Sequence, residues 1–332
     1  MGRLIPLPFL GPSSLELCAG GGGQALGLEA AGFHHVGLVE LDRHACETLR
    51  HNRPSWNIIR ADIRSFDPTP YRGIDLLAGG LPCPPFSRAG KQLGEDDDRN
   101  LWPAALRIIA KVKPKAVMFE NVRGLLDSVF EDFRNRFSDA EELRGYVTHW
   151  KLFNARDFGV SQLRPRVVFV ALQEEFSDSW EWPTARRDPV PTVGEKLYDL
   201  MRTRGWRMAK QWMVRANEIA PTIVGGSHKH GGPDLGPTRA RRQWAALGVD
   251  GLGIADEAPS RDFVGMPKLT LQMVARLQGF PNDWAFKGGK TASYRQIGNA
   301  FPPPVAEAIA SQIRWCLSRE IGRSPRRVAV DH

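Results

Sequence analysis

The sequence predicts an α/β fold: a doubly wound, mostly parallel sheet with a smaller, loop-rich module set into its second half. Three observations predict it. Short apolar runs alternate with helical patterns from residue 14 to about residue 119, as parallel strands and their crossover helices do. From residue 173 to residue 268 the chain turns rich in Pro, Gly, Trp and Arg, with weak periodicity. Helical periodicity then returns at residue 269. The expected division is therefore one large domain of residues 1–172 plus 269–332, and a module of residues 173–268.

Taken in order, Ser14 to Cys18 reads as a strand, followed by a Gly-rich turn and a helix to about Ala31. Val36 to Glu40 is a second strand, leading to a helix from Arg43 to His51. Ile58 to Ala61 and Ile74 to Ala78 are strands three and four. A helix from Leu101 to Val112 precedes a strand at Ala116 to Phe119. Tyr146 to Phe153 and Arg166 to Leu172 are β-rich and spaced to pair as a hairpin at one sheet edge. Helices close the chain at Leu269 to Leu277 and Pro303 to Arg319, with proline in the first turn, where it is tolerated.

Composition narrows the function classes. No apolar run reaches the roughly 18–20 residues that span a bilayer, and Met1 to Leu10 lacks a signal peptide's apolar core. The expectation is a cytoplasmic protein without a membrane partner. Its four cysteines, Cys18, Cys46, Cys83 and Cys316, form no CxxC pair, so no metal site is expected. The net charge is +8, and residues 202–242 hold nine Lys/Arg against two acidic residues. Such a segment is either a solvated basic face or a phosphate-contact surface.

Chemistry gathers at strand ends. Four glycines, Gly20 to Gly23, follow a strand and open a helix, so backbone N–H groups can approach an anionic ligand. Glu40 ends the next strand, where a carboxylate can hold ribose hydroxyls. Asp62, after the third strand, can accept from an adenine amino group. Together they point to a nucleoside cofactor or to tight turns in an ordinary sheet. Cys83 lies between Pro82 and Pro84 in Gly-Gly-Leu-Pro-Cys-Pro-Pro-Phe-Ser. Proline on both sides excludes a helix interior and a central strand, which places this thiol on a stiff loop at the sheet's carboxyl edge. Glu120 leaves the next strand at the same edge, to bond the N3 edge of a cytosine or to cap a helix. Arg164 and Arg166, two apart, share one face of a strand: a grip for a base carbonyl and a phosphate, or two surface arginines.

In this order the motifs resemble those of the DNA cytosine-C5 methyltransferases, of the bacterial restriction–modification type, along nearly the whole chain. Ala19 to Gly23 resembles the family's FAGxGG turn, Pro82-Cys83 with Phe86-Ser87 its PCQxFS motif, and Glu120-Asn121-Val122 its ENV motif. Gln162, Arg164 and Arg166 match QxRxR. Arg276 to Pro281 and Gln296 to Ala300 resemble the two closing motifs. Three positions depart from the pattern: Pro84 replaces glutamine, and Leu41 and Cys18 stand where aromatics are usual.

The resemblance implies a Rossmann-like methyltransferase fold and methylation of duplex DNA from S-adenosyl-L-methionine, giving S-adenosyl-L-homocysteine, with no metal. It implies base flipping and covalent attack by Cys83, with Glu120 on N3, Arg166 on O2 and Arg164 near the thiol. Cofactor contacts are expected from Ala19, Gly20, Gly22, Gly23, Glu40, Leu41, Asp62, Ile63, Gly80, Pro82, Asn299 and Ala300. DNA contacts are expected from Ser87, Gln162, Ser227, His228, Lys229, His230, Arg239, Arg241 and Arg242, most of them in a target-recognition domain of residues 173–268. Such an enzyme is expected as a nucleoid-associated monomer, either with a cognate restriction endonuclease acting separately or as an orphan regulatory methylase. The alternatives are an RNA cytosine methyltransferase of the same architecture, a DNA-binding protein that has lost catalysis, and a NAD-dependent enzyme, for which no hydride-transfer constellation is present.

Overall fold

The computed structural model describes residues 11–82, 100–226 and 232–319. Seven strands form one sheet: β1 (Ser13–Leu17), β2 (His34–Glu40), β3 (Ile58–Arg60), β4 (Leu76–Gly80), β5 (Ala116–Val122), β6 (Tyr146–Asn154) and β7 (Pro165–Gln173). Their order is β3-β2-β1-β4-β5-β7-β6. The first five are parallel, and β7 is antiparallel to both β5 and β6. The expected hairpin is there, and its second strand is the inner one.

Burial explains that placement. Val167 to Leu172 in β7 are fully buried, a continuous apolar run suited to a strand covered on both faces. Val147 and Leu152 in β6 remain exposed, as an edge position allows. The helices in chain order are α1 (Gly23–Ala30), α2 (Arg43–Asn52), α3 (Trp102–Val112), α4 (Glu131–Ser138), α5 (Glu174–Ser177), α6 (Val193–Met201), α7 (Ala209–Arg215), α8 (Thr238–Ala246), α9 (Leu271–Gln278), α10 (Lys290–Asn299) and α11 (Pro303–Arg319). One face of the sheet packs Leu15, Leu17, Leu77, Val117 and Phe119 against α3 and α4. Trp102 sits there edge-on to Phe119, Phe133 and Phe137. The other face packs Ala78, Met118, Val168 and Val170 under α1 and α11. These two helices approach so closely that a Cβ at Gly27 would lie 2.5 Å from that of Ala306.

The stretch read as loop-rich carries four short described helices, α5, α6, α7 and α8. Thr192 caps α6 in a reciprocal capping box with Glu195. Trp206, Trp212 and Trp244 are buried in a cluster that also takes in Met273, Leu277, Tyr294 and Ile297 from α9 and α10. Large aromatic anchors do here what helical periodicity does elsewhere. By contrast, α5 and the partly buried Trp180 and Trp182 pack on the β6–β7 side of the sheet. No described helix is long and apolar enough to cross a membrane.

Candidate active site

The carboxyl ends of β1, β2, β4 and β5 lie side by side, and the polar groups expected at the site gather there. After β1 the backbone turns through left-handed conformations at Cys18 (φ 54°), Gly20 (φ 54°) and Gly22 (φ 90°). The glycines serve two ends. Among the described residues, a Cβ on Gly20 would meet only Cys18 O, at 4.0 Å. A Cβ on Gly22 would press within 2.8 Å of Leu49 and 2.9 Å of Trp284, and one on Gly23 within 2.4 Å of Phe301 O. Trp284 also holds the turn by donating from Nε1 to Gly21 O at 3.0 Å.

Glu40 braces the same turn. Its carboxylate accepts from Gly20 N and from Asp42 N, each at 2.7 Å. Burial pushes its pKa up, against the lowering effect of these amide bonds. Ile63 is buried and Leu41 exposed. Asp62 is held by Arg64, whose Nη2 lies 2.6 Å and Nε 3.0 Å from Oδ2. That contact, together with the Arg64 amide, lowers the Asp62 pKa. Arg64 had escaped the sequence reading; an arginine two residues after a strand-end aspartate was its only signal. A glycine backbone beside two carboxylates suits a nucleoside carrying ribose hydroxyls and an exocyclic amine. Among the described residues no group of three or more His, Cys, Asp or Glu could hold a metal ion.

Gly80 ends β4 and pairs with Glu120 on β5. A Cβ there would stand 3.5 Å from Glu120 Oε2, an ordinary van der Waals contact. Glu120 is 7% exposed. Its Oε1 is 2.7 Å from Arg166 Nε. Burial raises the Glu120 pKa; the charges of Arg166 and Arg164 pull the other way. The result is a carboxyl group readier than most to hold a proton. Asn121 adds a support that the sequence reading had not singled out: its Nδ2 donates to Leu81 O at 3.1 Å and fixes the chain two residues before Cys83. Pro82 is exposed. Cys83 and Ser87 lie outside the described residues, as do Ser227, His228, Lys229 and His230.

Two of the expected residues are committed inward. Gln162 is fully buried, and it bonds Gln278 Oε1 at 2.7 Å, Leu277 O at 3.3 Å and Ile223 N at 2.9 Å. Arg164 was expected beside the thiol as a charge. It is fully buried too, and its guanidinium donates to the carbonyls of Ile223 (2.6 Å), Gly298 (2.7 Å) and Ala300 (3.0 Å). Of the residues expected at the cofactor, Ala300 accepts through its carbonyl from Arg164, and the exposed Asn299 donates from Nδ2 to Gly226 O at 3.1 Å. Arg239 and Arg242 are exposed on α8, while Arg241 pairs with Asp234 at 3.1 Å.

Comparison with known proteins agrees with this geometry. The model of the C-5 cytosine-specific DNA methylases matches residues 13–315. Type II methyltransferase M.NgoMIV of Neisseria gonorrhoeae is 53% identical over 311 residues, covering 93% of this chain and 99% of that protein. Type II methyltransferase M.NaeI of Lentzea aerocolonigenes is 54% identical over 324 residues, covering 96% and 78%. Among solved structures, a DNA modification methyltransferase encoded within an E. coli prophage superposes with TM-score 0.67 at 22% identity, covering 92% of this chain and 99% of that one. Spodoptera frugiperda DNMT2 gives TM-score 0.61 at 19% identity, with 91% and 99% coverage, a likeness of fold alone. From the match over residues 13–315 and the identity to both Type II enzymes, the chain belongs to the C-5 cytosine-specific DNA methylase family.

Proposed function

We propose that this chain is the modification methyltransferase of a restriction–modification system, acting on one cytosine of a defined site in duplex DNA. The observation that carries the reading is the buried Glu120–Arg166 pair, level with the end of the strand that leads into Pro82-Cys83. Bound S-adenosyl-L-methionine would supply a methyl group carried on a sulfonium, leaving S-adenosyl-L-homocysteine. The Gly20 turn, with Glu40 and Asp62, fits its nucleoside portion. Leu41, Ile63, Gly80 and Pro82 border that position along the chain.

The residues of this chain do the rest. A stacked base hides both ring faces, so the cytosine must swing out of the helix. The Cys83 thiolate adds to C6. Glu120 gives its proton to N3, and the electron pair freed by addition makes C5 nucleophilic. Arg166 holds Glu120 in place and meets the base O2. Once C5 carries the methyl group, a base removes its proton, the C5–C6 double bond reforms, Cys83 leaves as thiolate and N3 returns its proton to Glu120. A free thiol has a pKa of about 8.5, so a small thiolate fraction limits the rate at neutral pH.

We assign target recognition to residues 173–268, working as part of a monomer, with any cognate endonuclease acting separately. Exposed Arg239 and Arg242 support phosphate contact; Ser227 to His230 are the candidates for base reading. The test is bisulfite sequencing of plasmid DNA treated with the protein and methyl donor, with transfer RNA as a second substrate. The expected result is methylation of one cytosine in one recurring duplex sequence. A duplex with 5-fluorocytosine at that position should trap the protein through Cys83. Methylation of RNA only, or the absence of an adduct, would overturn the assignment.

A further inference from the structure

Gln162 and Arg164 do work that neither the cofactor turn nor the Glu120–Arg166 pair requires. Residues 161–164 meet residues 220–223 edge to edge. Ala220 N donates to Ser161 O at 3.1 Å and Leu163 N to Ala220 O at 2.8 Å. Thr222 Oγ1 donates to Leu163 O at 2.6 Å. Ile223 then has both backbone groups taken by side chains: its N–H goes to Gln162 Oε1 at 2.9 Å, and its carbonyl accepts from Arg164 Nη1 at 2.6 Å. The other arm of Arg164 reaches Gly298 O and Ala300 O. Two residues on, Gly225 lies so close to α10 that a Cβ there would come within 2.6 Å of Arg295 O and of Asn299 Oδ1.

We infer that Arg164 is a positioning residue for DNA-sequence choice. With Gln162 it registers backbone 220–226 against β7 and the Gly298–Ala300 turn. It thereby sets where the chain stands at Gly226 relative to Glu120 and Arg166. The inference rests on the proposed function. Its chemistry is specific to arginine: a rigid planar fork can serve three carbonyls lying in two directions, which a lysine's single ammonium cannot. A guanidinium is costly to bury, and this one is spent on backbone oxygens. The immediate chain continuation of Gly226 is the segment proposed to read bases, so a small slip at Ile223 is carried into sequence choice.

The experiment compares wild type, Arg164→Lys, Arg164→Gln and Gly225→Ala, each held where circular dichroism shows it folded. Bisulfite sequencing gives the ratio of methylation at the preferred site to methylation at sites differing by one base pair. The pH profile of Cys83 alkylation is followed alongside. All three variants should lose at least roughly tenfold in the ratio, the scale of one mismatched contact, with the alkylation profile unmoved. Unaltered ratios in variants that merely melt earlier would overturn the inference. So would a change confined to Arg164→Gln with a shifted alkylation profile, since Arg164 would then act by its charge on the thiol. If the Arg164 variants fail to fold, Gly225→Ala decides, because it leaves Arg164 in place. A wild-type protein that methylates no duplex cytosine sinks the proposed function as well; site-specific wild-type methylation with unchanged ratios in the variants sinks this inference alone.

Discussion

The rim of the sheet and the seam between residues 161–164 and 220–226 both bury charged side chains, and they use them in opposite ways. At the rim, Glu120 Oε1 meets Arg166 Nε, and the position beside it on β4 is a glycine. At the seam, Arg164 spends its fork on three carbonyls and Gln162 spends both ends of its amide. A buried carboxyl group at a strand end, beside a glycine, stands where a substrate can be answered; a guanidinium committed to carbonyls of two other segments stands where pieces of chain are joined.

Substitutions can break that contrast. The largest effect is expected from Cys83→Ala, which should abolish methyl transfer while leaving DNA and cofactor binding; near-normal turnover in a tritium-transfer assay would end the covalent account. Glu120→Gln comes next. Loss of a proton donor at N3 should cost about 10²–10⁴ in kcat, with cofactor affinity by calorimetry largely kept. Equal turnover would remove Glu120 from the chemistry and make the rim as architectural as the seam.

At the seam the expectation inverts. Gln162→Leu leaves the Ile223 amide and the Gln278 side chain without their partner, at about 1–3 kcal/mol for each buried group. Its midpoint in urea should fall clearly; an unchanged midpoint would mean that water replaces the lost bonds. A smaller effect is expected on the recognition surface. Replacing Arg239 and Arg242 together by alanine should reduce the slope of log affinity against log salt by about 2, if both meet phosphates.

The pH dependence sharpens the contrast further. Burial raises the folded-state pKa of Glu120 above the usual 4.5, so the fold favours its protonated form. The stability this gives is complete below pH 4.5 and is lost as pH rises through the raised value. Wild type should therefore lose stability across that window, and Glu120→Gln should lose less. Identical pH profiles would show that Arg166 fully compensates the carboxylate. Turnover should respond at both ends, since the thiolate is favoured at high pH and the protonated carboxyl group at low pH, giving a bell-shaped profile.

Much of this was legible in the sequence, for identifiable reasons. β1, β2, β4 and β5 are short apolar runs bounded by glycine or acidic residues, and the structure places them within two or three residues of where the pattern did. The rim followed, because strand ends in a parallel sheet share an edge. Arg164 and Arg166 show what a pattern cannot separate. Their spacing is that of neighbours on one face, yet one meets Glu120 and the other meets carbonyls 59, 134 and 136 residues away. Helices α6, α7 and α8 were missed for a related reason. They are short, and buried tryptophans hold them against partners distant in the chain; only α6 carries a local signal, Val193, Leu197 and Leu200 on one face behind the Thr192–Glu195 capping box.

Trp284 grips the glycine turn from 263 residues further along the chain, and this has a bearing on synthesis. A nascent polypeptide has made the turn's own residues long before it makes the indole that shapes them. The turn is therefore expected to take its final shape only after residue 284 has left the ribosome, so copies cut short before it should lack a finished glycine turn.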